Sequence, residues 1–189
     1  MSVVARRPNA ARVLVPVMVA FGGALLVLRP GLAGVGEPGR SLLLGAVLLT
    51  ILVASLAVPG ARRRGGLSAA VAVSGAGIVA LGLAWVVSEP RPPVPWAATA
   101  VPLSLLAAVA EEALFRRVLY GRLEPFGVMV AVVGAAVAFA LLHVPLYGWA
   151  VFPVDLGAGI LFGWQRHAAG TWTVPAGTHA VANLLAVLR

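Results

Sequence analysis

Seven apolar stretches, each close to the length a helix needs to cross a bilayer, take up most of this 189-residue chain. They lie near 13–28, 41–58, 67–88, 97–120, 127–143, 149–165 and 173–188. A span needs about 20 apolar residues at about 1.5 Å of rise each. The linkers are short and turn-like, as in Arg29-Pro30-Gly31, Pro59 to Gly66, and Glu89-Pro90-Arg91-Pro92-Pro93. The predicted fold class is therefore all-α, a polytopic transmembrane helix bundle of about seven to eight spans. Composition agrees: 61% of residues are hydrophobic and 11% charged, against about 25% charged in a typical soluble domain. The length allows one compact bundle and no separate soluble domain. The Pro-rich stretch at 90–95 is a seam within that single unit. Residues 1–95 hold helices without a motif, and residues 96–189 hold nearly all the polar residues that fall inside apolar runs.

The formal net charge is +8, and all 14 basic residues are arginine. They cluster between the apolar runs, where they act as topology signals and contacts to anionic lipid. No aromatic-rich basic stretch that could stack bases is present, so nucleic acid is not an expected partner. Ten arginines (Arg6, Arg7, Arg12, Arg62, Arg63, Arg64, Arg116, Arg117, Arg122, Arg166) fall on one side of an alternating arrangement. Four (Arg29, Arg40, Arg91, Arg189) fall on the other. That bias predicts a cytoplasmic N-terminus. The Ala-, Val-, Gly- and Arg-rich composition suggests a bacterium with a GC-rich genome, hence the inner membrane of a bacterial cell. The N-terminal arginines and the run after them are read as a first transmembrane helix, because no cleavage site leads into a polar mature domain. The chain has no cysteine, which excludes disulfides, thiolate-ligated zinc and thiol nucleophiles.

Against this background two adjacent glutamates, Glu111 and Glu112, stand inside the fourth apolar run. A carboxylate in hydrocarbon costs on the order of 3 kcal/mol, so a chain that keeps two is expected to use at least one. Glu112 and Arg116 are four apart, in the favourable order for a helical ion pair. Glu111 is rotated by about 100° from Glu112, and it is the carboxylate expected to do chemistry. Phe139 and His143 share a face of the fifth run, and His179 and Asn183 share a face of the seventh. Asp155 lies deeper in the sixth run and is ambiguous. Gln165, Arg166 and His167 close that run and are read as a solvated boundary. Gly159 and Gly163 suit close helix packing with no partner named. A carboxylate, two imidazoles and an amide from three spans make up the parts for water activation: a base, groups that orient water or hold a metal, and an oxyanion donor. No HExxH, GxSxG or phosphate-binding glycine loop with lysine occurs.

The three runs, Glu111-Glu112-x-x-x-Arg116, Phe139-x-x-x-His143 and His179-x-x-x-Asn183, resemble the motifs of the CAAX-protease and bacteriocin-processing family of intramembrane proteases, which includes the Rce1-like prenyl proteases. Order, spacing and placement on apolar helices all agree over roughly residues 97–188. The resemblance implies an endopeptidase that hydrolyses membrane-associated peptides or proteins. On that analogy Glu111 and His143 activate the water. His179 and Asn183 stabilise the oxyanion or complete a metal site, and Glu112, Arg116 and Phe139 support them. The same four residues, Glu111, His143, His179 and Asn183, are the expected ligands if zinc or another divalent metal takes part; the parts suit a metal-free route equally. Arg117 stands where family members often have glycine, which implies a difference in substrate access.

One expectation conflicts with simple topology. Alternating spans put His143 about 25 Å from the cytoplasmic end of its helix and His179 about 10 Å from the corresponding end of its own. A later start of the fifth helix beyond residues 122–130, and a fourth helix opening at Pro102, reduce the conflict; convergence is expected regardless. Two other functions fit an intramembrane Glu and His: a proton-coupled transporter, and a non-catalytic scaffold or immunity protein with the same fold.

Overall fold

The computed structural model describes residues 36, 39–59, 65–87 and 99–187. The predicted span at 13–28, the seam at 90–95, and Arg6, Arg7, Arg12, Arg29, Arg62, Arg63, Arg64, Arg91 and Arg189 lie outside the described residues. Among the described residues every regular element is helical. In order they are α1 (Gly39–Ala57), α2 (Leu67–Val87), α3 (Ala100–Glu112), a π-helix (Ala113–Leu119), α4 (Tyr120–Leu123), a 3-10 turn (Glu124–Phe126), α5 (Val128–Tyr147), a second 3-10 turn (Trp149–Val151), α6 (Phe152–Ala169) and α7 (Thr173–Val187).

Three of these helices are long and apolar enough to cross a membrane: Gly39–Ala57, Leu67–Ala84 and Val128–Tyr147. The other three predicted spans are also helices, but length or polarity sets them apart. α3 gives way to the π-helix after 13 residues, and α7 has 15. α6 has 18 but carries Asp155, Gln165, Arg166 and His167. The described residues thus show an all-helical membrane architecture with three such spans, and the count of seven to eight goes no further than that.

Among the described residues α5 and α6 form the most extensively packed pair of helices. Gly159 sits against Ala136, where an added Cβ would lie 2.9 Å from the Ala136 Cα, and Gly163 sits against Val132 at 3.1 Å. The two glycines therefore do have a partner, a small-residue face of α5, and the pair runs antiparallel. The absence of side chains lets the backbones approach and gain dispersion contacts. α6 ends at Gly170, whose φ of 68° is left-handed, a conformation that costs glycine nothing. α1 backs the site from behind. Its Leu48 and Ile51 pack with Ala110, Leu114, Phe115 and Phe139 in one apolar cluster.

Candidate active site

Glu111 and Glu112 end α3, and Arg116 lies in the π-helix that continues it. A π-helix closes i→i+5 hydrogen bonds, so it turns following side chains to a different angle than an α-helix would. Nothing in the spacing of residues predicts it. Glu112 and Arg116 are both fully buried, and the ion pair expected from their spacing is present, Arg116 Nη1 to Glu112 Oε1 at 3.1 Å. A buried guanidinium is costly unless it is paired and hydrogen-bonded. Arg116 has further partners: Nη2 donates to the Gly159 carbonyl at 3.1 Å. Its guanidinium carbon also lies 4.8 Å from the Phe139 ring centre and 5.3 Å from that of Phe162, within cation–π range.

The same Glu112 oxygen takes a second contact. His179 Nδ1–H donates to Glu112 Oε1 at 3.1 Å. This contact fixes the tautomer and turns Nε2, the lone-pair nitrogen, toward Glu111 Oε2 at 3.9 Å. His143 is held by a different device to the same end. Its Nδ1 is 2.8 Å from the Phe139 carbonyl. A carbonyl can only accept, so Nδ1 carries the hydrogen, and Nε2 faces Glu111 Oε2 at 3.8 Å. Both imidazoles thus turn an acceptor nitrogen toward one carboxylate oxygen. Aromatic rings hold them there: Phe162 stacks on His179 at 5.0 Å, and Phe139 lies 4.5 Å from His143. Tyr147, exposed, stacks on the outer side of His143 at 6.0 Å.

The structure therefore gathers Glu111, His143 and His179 at one point. Glu112, Arg116 and Phe139 are immediately behind them. Asn183 has another partner. Its Nδ2 donates to the Ser104 carbonyl at 3.0 Å, on α3 two turns before Glu111. Asp155 joins the group at its edge, with Oδ2 at 3.9 Å from His143 Nδ1. The antiparallel register of Gly159 on Ala136 places it there, and the sequence alone does not carry that register. The role of Phe162 left no mark in the sequence.

The depth conflict resolves in the helices' placement. His143 lies about 22 Å along α5 from its start, and His179 about 9 Å along α7 from its own. Both reach the same oxygen, so α7 is set deeper than, or inclined to, α5. The reading of Gln165 and Arg166 as a solvated boundary is overturned: Gln165 is fully buried and Arg166 is buried. They sit at the last turns of α6, but α2, α7 and the π-helix cover that end. Arg166 Nε donates to the Arg116 carbonyl at 3.2 Å, and Gln165 bonds to α2 and α7. Arg117 donates to the Leu56 carbonyl at 3.0 Å, satisfying a carbonyl in the last turn of α1 that has no helical partner.

Two imidazole nitrogens and a carboxylate are donors that zinc accepts. Tetrahedral ligands about 2.1 Å from zinc stand about 3.4 Å from one another. The spacings here are 3.8 and 3.9 Å. Among the described residues no group of three or more His, Asp or Glu could hold a metal ion. The side chains as arranged are too widely spaced to close on zinc, and no step below passes through a metal.

Residues 93–185 match the family model of type II CAAX prenyl endopeptidases, Rce1-like. No curated protein and no solved structure matches the chain. The matched segment begins before α3 and ends within α7, so it contains Glu111, Glu112, Arg116, His143, His179 and Asn183 with the helices that carry them. Through that segment the chain, an integral membrane protein, carries an Rce1-like domain of the type II CAAX prenyl endopeptidase family.

Proposed function

We propose that this protein hydrolyses peptide bonds of membrane-associated peptides or proteins, using water activated by Glu111 with His143 and His179. The observation that carries the reading is the aim of two acceptor nitrogens at one carboxylate oxygen, at 3.8 and 3.9 Å. Polar groups at such separations suit a water between them, which donates its two hydrogens to Glu111 Oε2 and to one imidazole nitrogen at a time. Glu111 Oε2 takes a proton from that water as its oxygen attacks the scissile carbonyl carbon. The tetrahedral intermediate then collapses, the C–N bond breaks, and the proton leaves with the amine. His143 Nε2 shares the proton in transit. His179 takes a proton from solvent on Nε2 when the substrate binds, donates that hydrogen to the oxyanion, and returns it to solvent after product release; the adjacent Glu112 balances its charge meanwhile. Asn183, anchored on Ser104, has a second amide hydrogen that can serve the same oxyanion.

Residues 96–189 carry this chemistry in the proposal, and the preceding helices frame it. The arginine bias supports a cytoplasmic N-terminus in a bacterial inner membrane. The lipid bilayer and a membrane-tethered substrate are the partners.

The test is cleavage of a membrane-tethered peptide library by the full chain in liposomes. Glu111→Ala is expected to abolish turnover without changing the unfolding temperature, and chelation is expected to leave turnover intact. Normal cleavage by Glu111→Ala would sink the assignment. A Glu111-dependent proton flux without cleavage would make the protein a transporter. Protection of a host cell by Glu111→Gln at the wild-type level would make it a scaffold or immunity protein.

A further inference from the structure

α2 lies outside the segment that matches the family, and little of it is covered by the rest of the chain. Among its described side chains, Val73 and Gly77 are the buried positions. Both meet one residue of α6. Gln165, fully buried, donates from Nε2 to the Val73 carbonyl at 3.0 Å and to Thr178 Oγ1 at 3.0 Å. The carbonyl accepts only, so the amide's orientation is dictated by its surroundings. Gly77 makes room for it: a Cβ there would run into Gln165 Nε2 and lie 2.9 Å from Thr178 Cγ2.

Thr178 immediately precedes His179. Successive residues on a helix are rotated by about 100°. Thr178 therefore looks toward α2 and α6 while His179 looks toward α3. α7, 15 residues long, is gripped on its α3 side through His179 on Glu112 and Asn183 on Ser104. Gln165 on Thr178 is the buried polar grip from the opposite side. Without it, polar contacts hold the rotation of α7 only on its α3 side, and one of the two is the histidine's own.

We propose that Gln165 is a positioning residue for His179: with Val73, Gly77 and Thr178 it sets the rotation of α7 so that His179 Nε2 faces Glu111. The proposal rests on the hydrolytic reading above, and it makes α2 part of the working enzyme although the residues of α2 carry no motif. A misplacement of about 1 Å at a reacting group can cost about 100-fold in rate.

The experiment uses the full chain in lipid nanodiscs with Gln165→Leu, Gly77→Ala, Thr178→Val and Thr178→Ser. Three quantities are read: kcat and KM on a membrane-tethered peptide, the unfolding temperature, and the 15N signals of the His179 imidazole. Gln165→Leu, Gly77→Ala and Thr178→Val are expected to lower kcat by about 10- to 100-fold with little change in KM, in protein that is still folded. Thr178→Ser keeps the acceptor oxygen and is expected to restore most of kcat. The His179 signals should show the Nδ1–H tautomer in the wild type and a mixture in Gln165→Leu. A folded Gln165→Leu with wild-type kcat and an unchanged His179 spectrum overturns the proposal, as do equal rates for Thr178→Val and Thr178→Ser. If Gln165→Leu does not fold, the valine and serine variants decide. If the wild type cleaves nothing, the hydrolytic reading falls, and the His179 spectrum alone judges the strut: unchanged in Thr178→Val, it is overturned; altered, it stands.

Discussion

α2 and α5 are almost the same length and similarly apolar, and they do opposite work. The rest of the chain buries 11% of the spanning window of α2 and 39% of that of α5. α5 turns Ala131, Val132, Ala135, Ala136, Phe139, Ala140 and His143 inward, a stripe at helical spacing made mostly of small residues. α2 turns Leu67, Val71, Val79, Leu83 and Val86 outward, and these side chains would face lipid. Apolarity thus says where a helix can lie but not what it is for. The small-residue stripe lets α6 come close, and the single histidine on it ends beside Glu111.

The comparison breaks most sharply at that histidine. His143→Ala is expected to lower kcat about 10²- to 10⁴-fold, the range for losing a general acid–base group. The unfolding temperature should barely move, since the ring's neighbours Phe139 and Tyr147 remain. Peptide cleavage and a thermal melt on the same preparation test this, and a variant that keeps half the wild-type rate would detach α5 from the chemistry. Arg116→Met should do the reverse. It leaves the fully buried Glu112 carboxylate without its cationic partner, at a cost of about 3–5 kcal/mol. Urea unfolding in detergent would read that loss as an earlier midpoint. An unshifted midpoint would mean that the pair stabilises nothing.

Some of this could be read from the sequence, and the rest depends on contacts that local spacing does not carry. The helices after residue 99 are legible because each apolar run is bounded by glycine, proline or charge: Gly127 before α5, Gly148 after it, Gly170 after α6. The Glu112–Arg116 pair is legible because a four-residue separation is a local geometric fact. Polar residues at the end of a run invite a solvated reading. Gln165 and Arg166 escape it because three other elements cover their end of α6, which is tertiary information. The π-helix after Glu112 has no local signature, and it helps to bring Arg116 between Glu112 and Gly159. The relative depth of His179 is not legible, because rise along an axis says nothing of how far one helix is offset from the next.

Two smaller substitutions sharpen the comparison. Gly159→Ala inserts a Cβ 2.9 Å from the Ala136 Cα, and neither backbone can yield without parting α5 from α6. Overpacking of this kind costs about 1–3 kcal/mol. It should also weaken the bond from Arg116 to the Gly159 carbonyl, so the variant should lose activity together with stability. In α2 the matching change is Leu83→Ala, at a side chain 63% exposed. It opens no cavity and strands no polar group, so its effect on folding should stay within about 0.5 kcal/mol, with cleavage unchanged. Gly77→Ala, six residues earlier on the same helix, is the control that gives this null result meaning, because its added methyl meets Gln165 and Thr178. If α2 contributes only a lipid-facing wall, both variants should behave alike; if it bears on His179, they should separate in kcat while Leu83→Ala remains indistinguishable from the wild type.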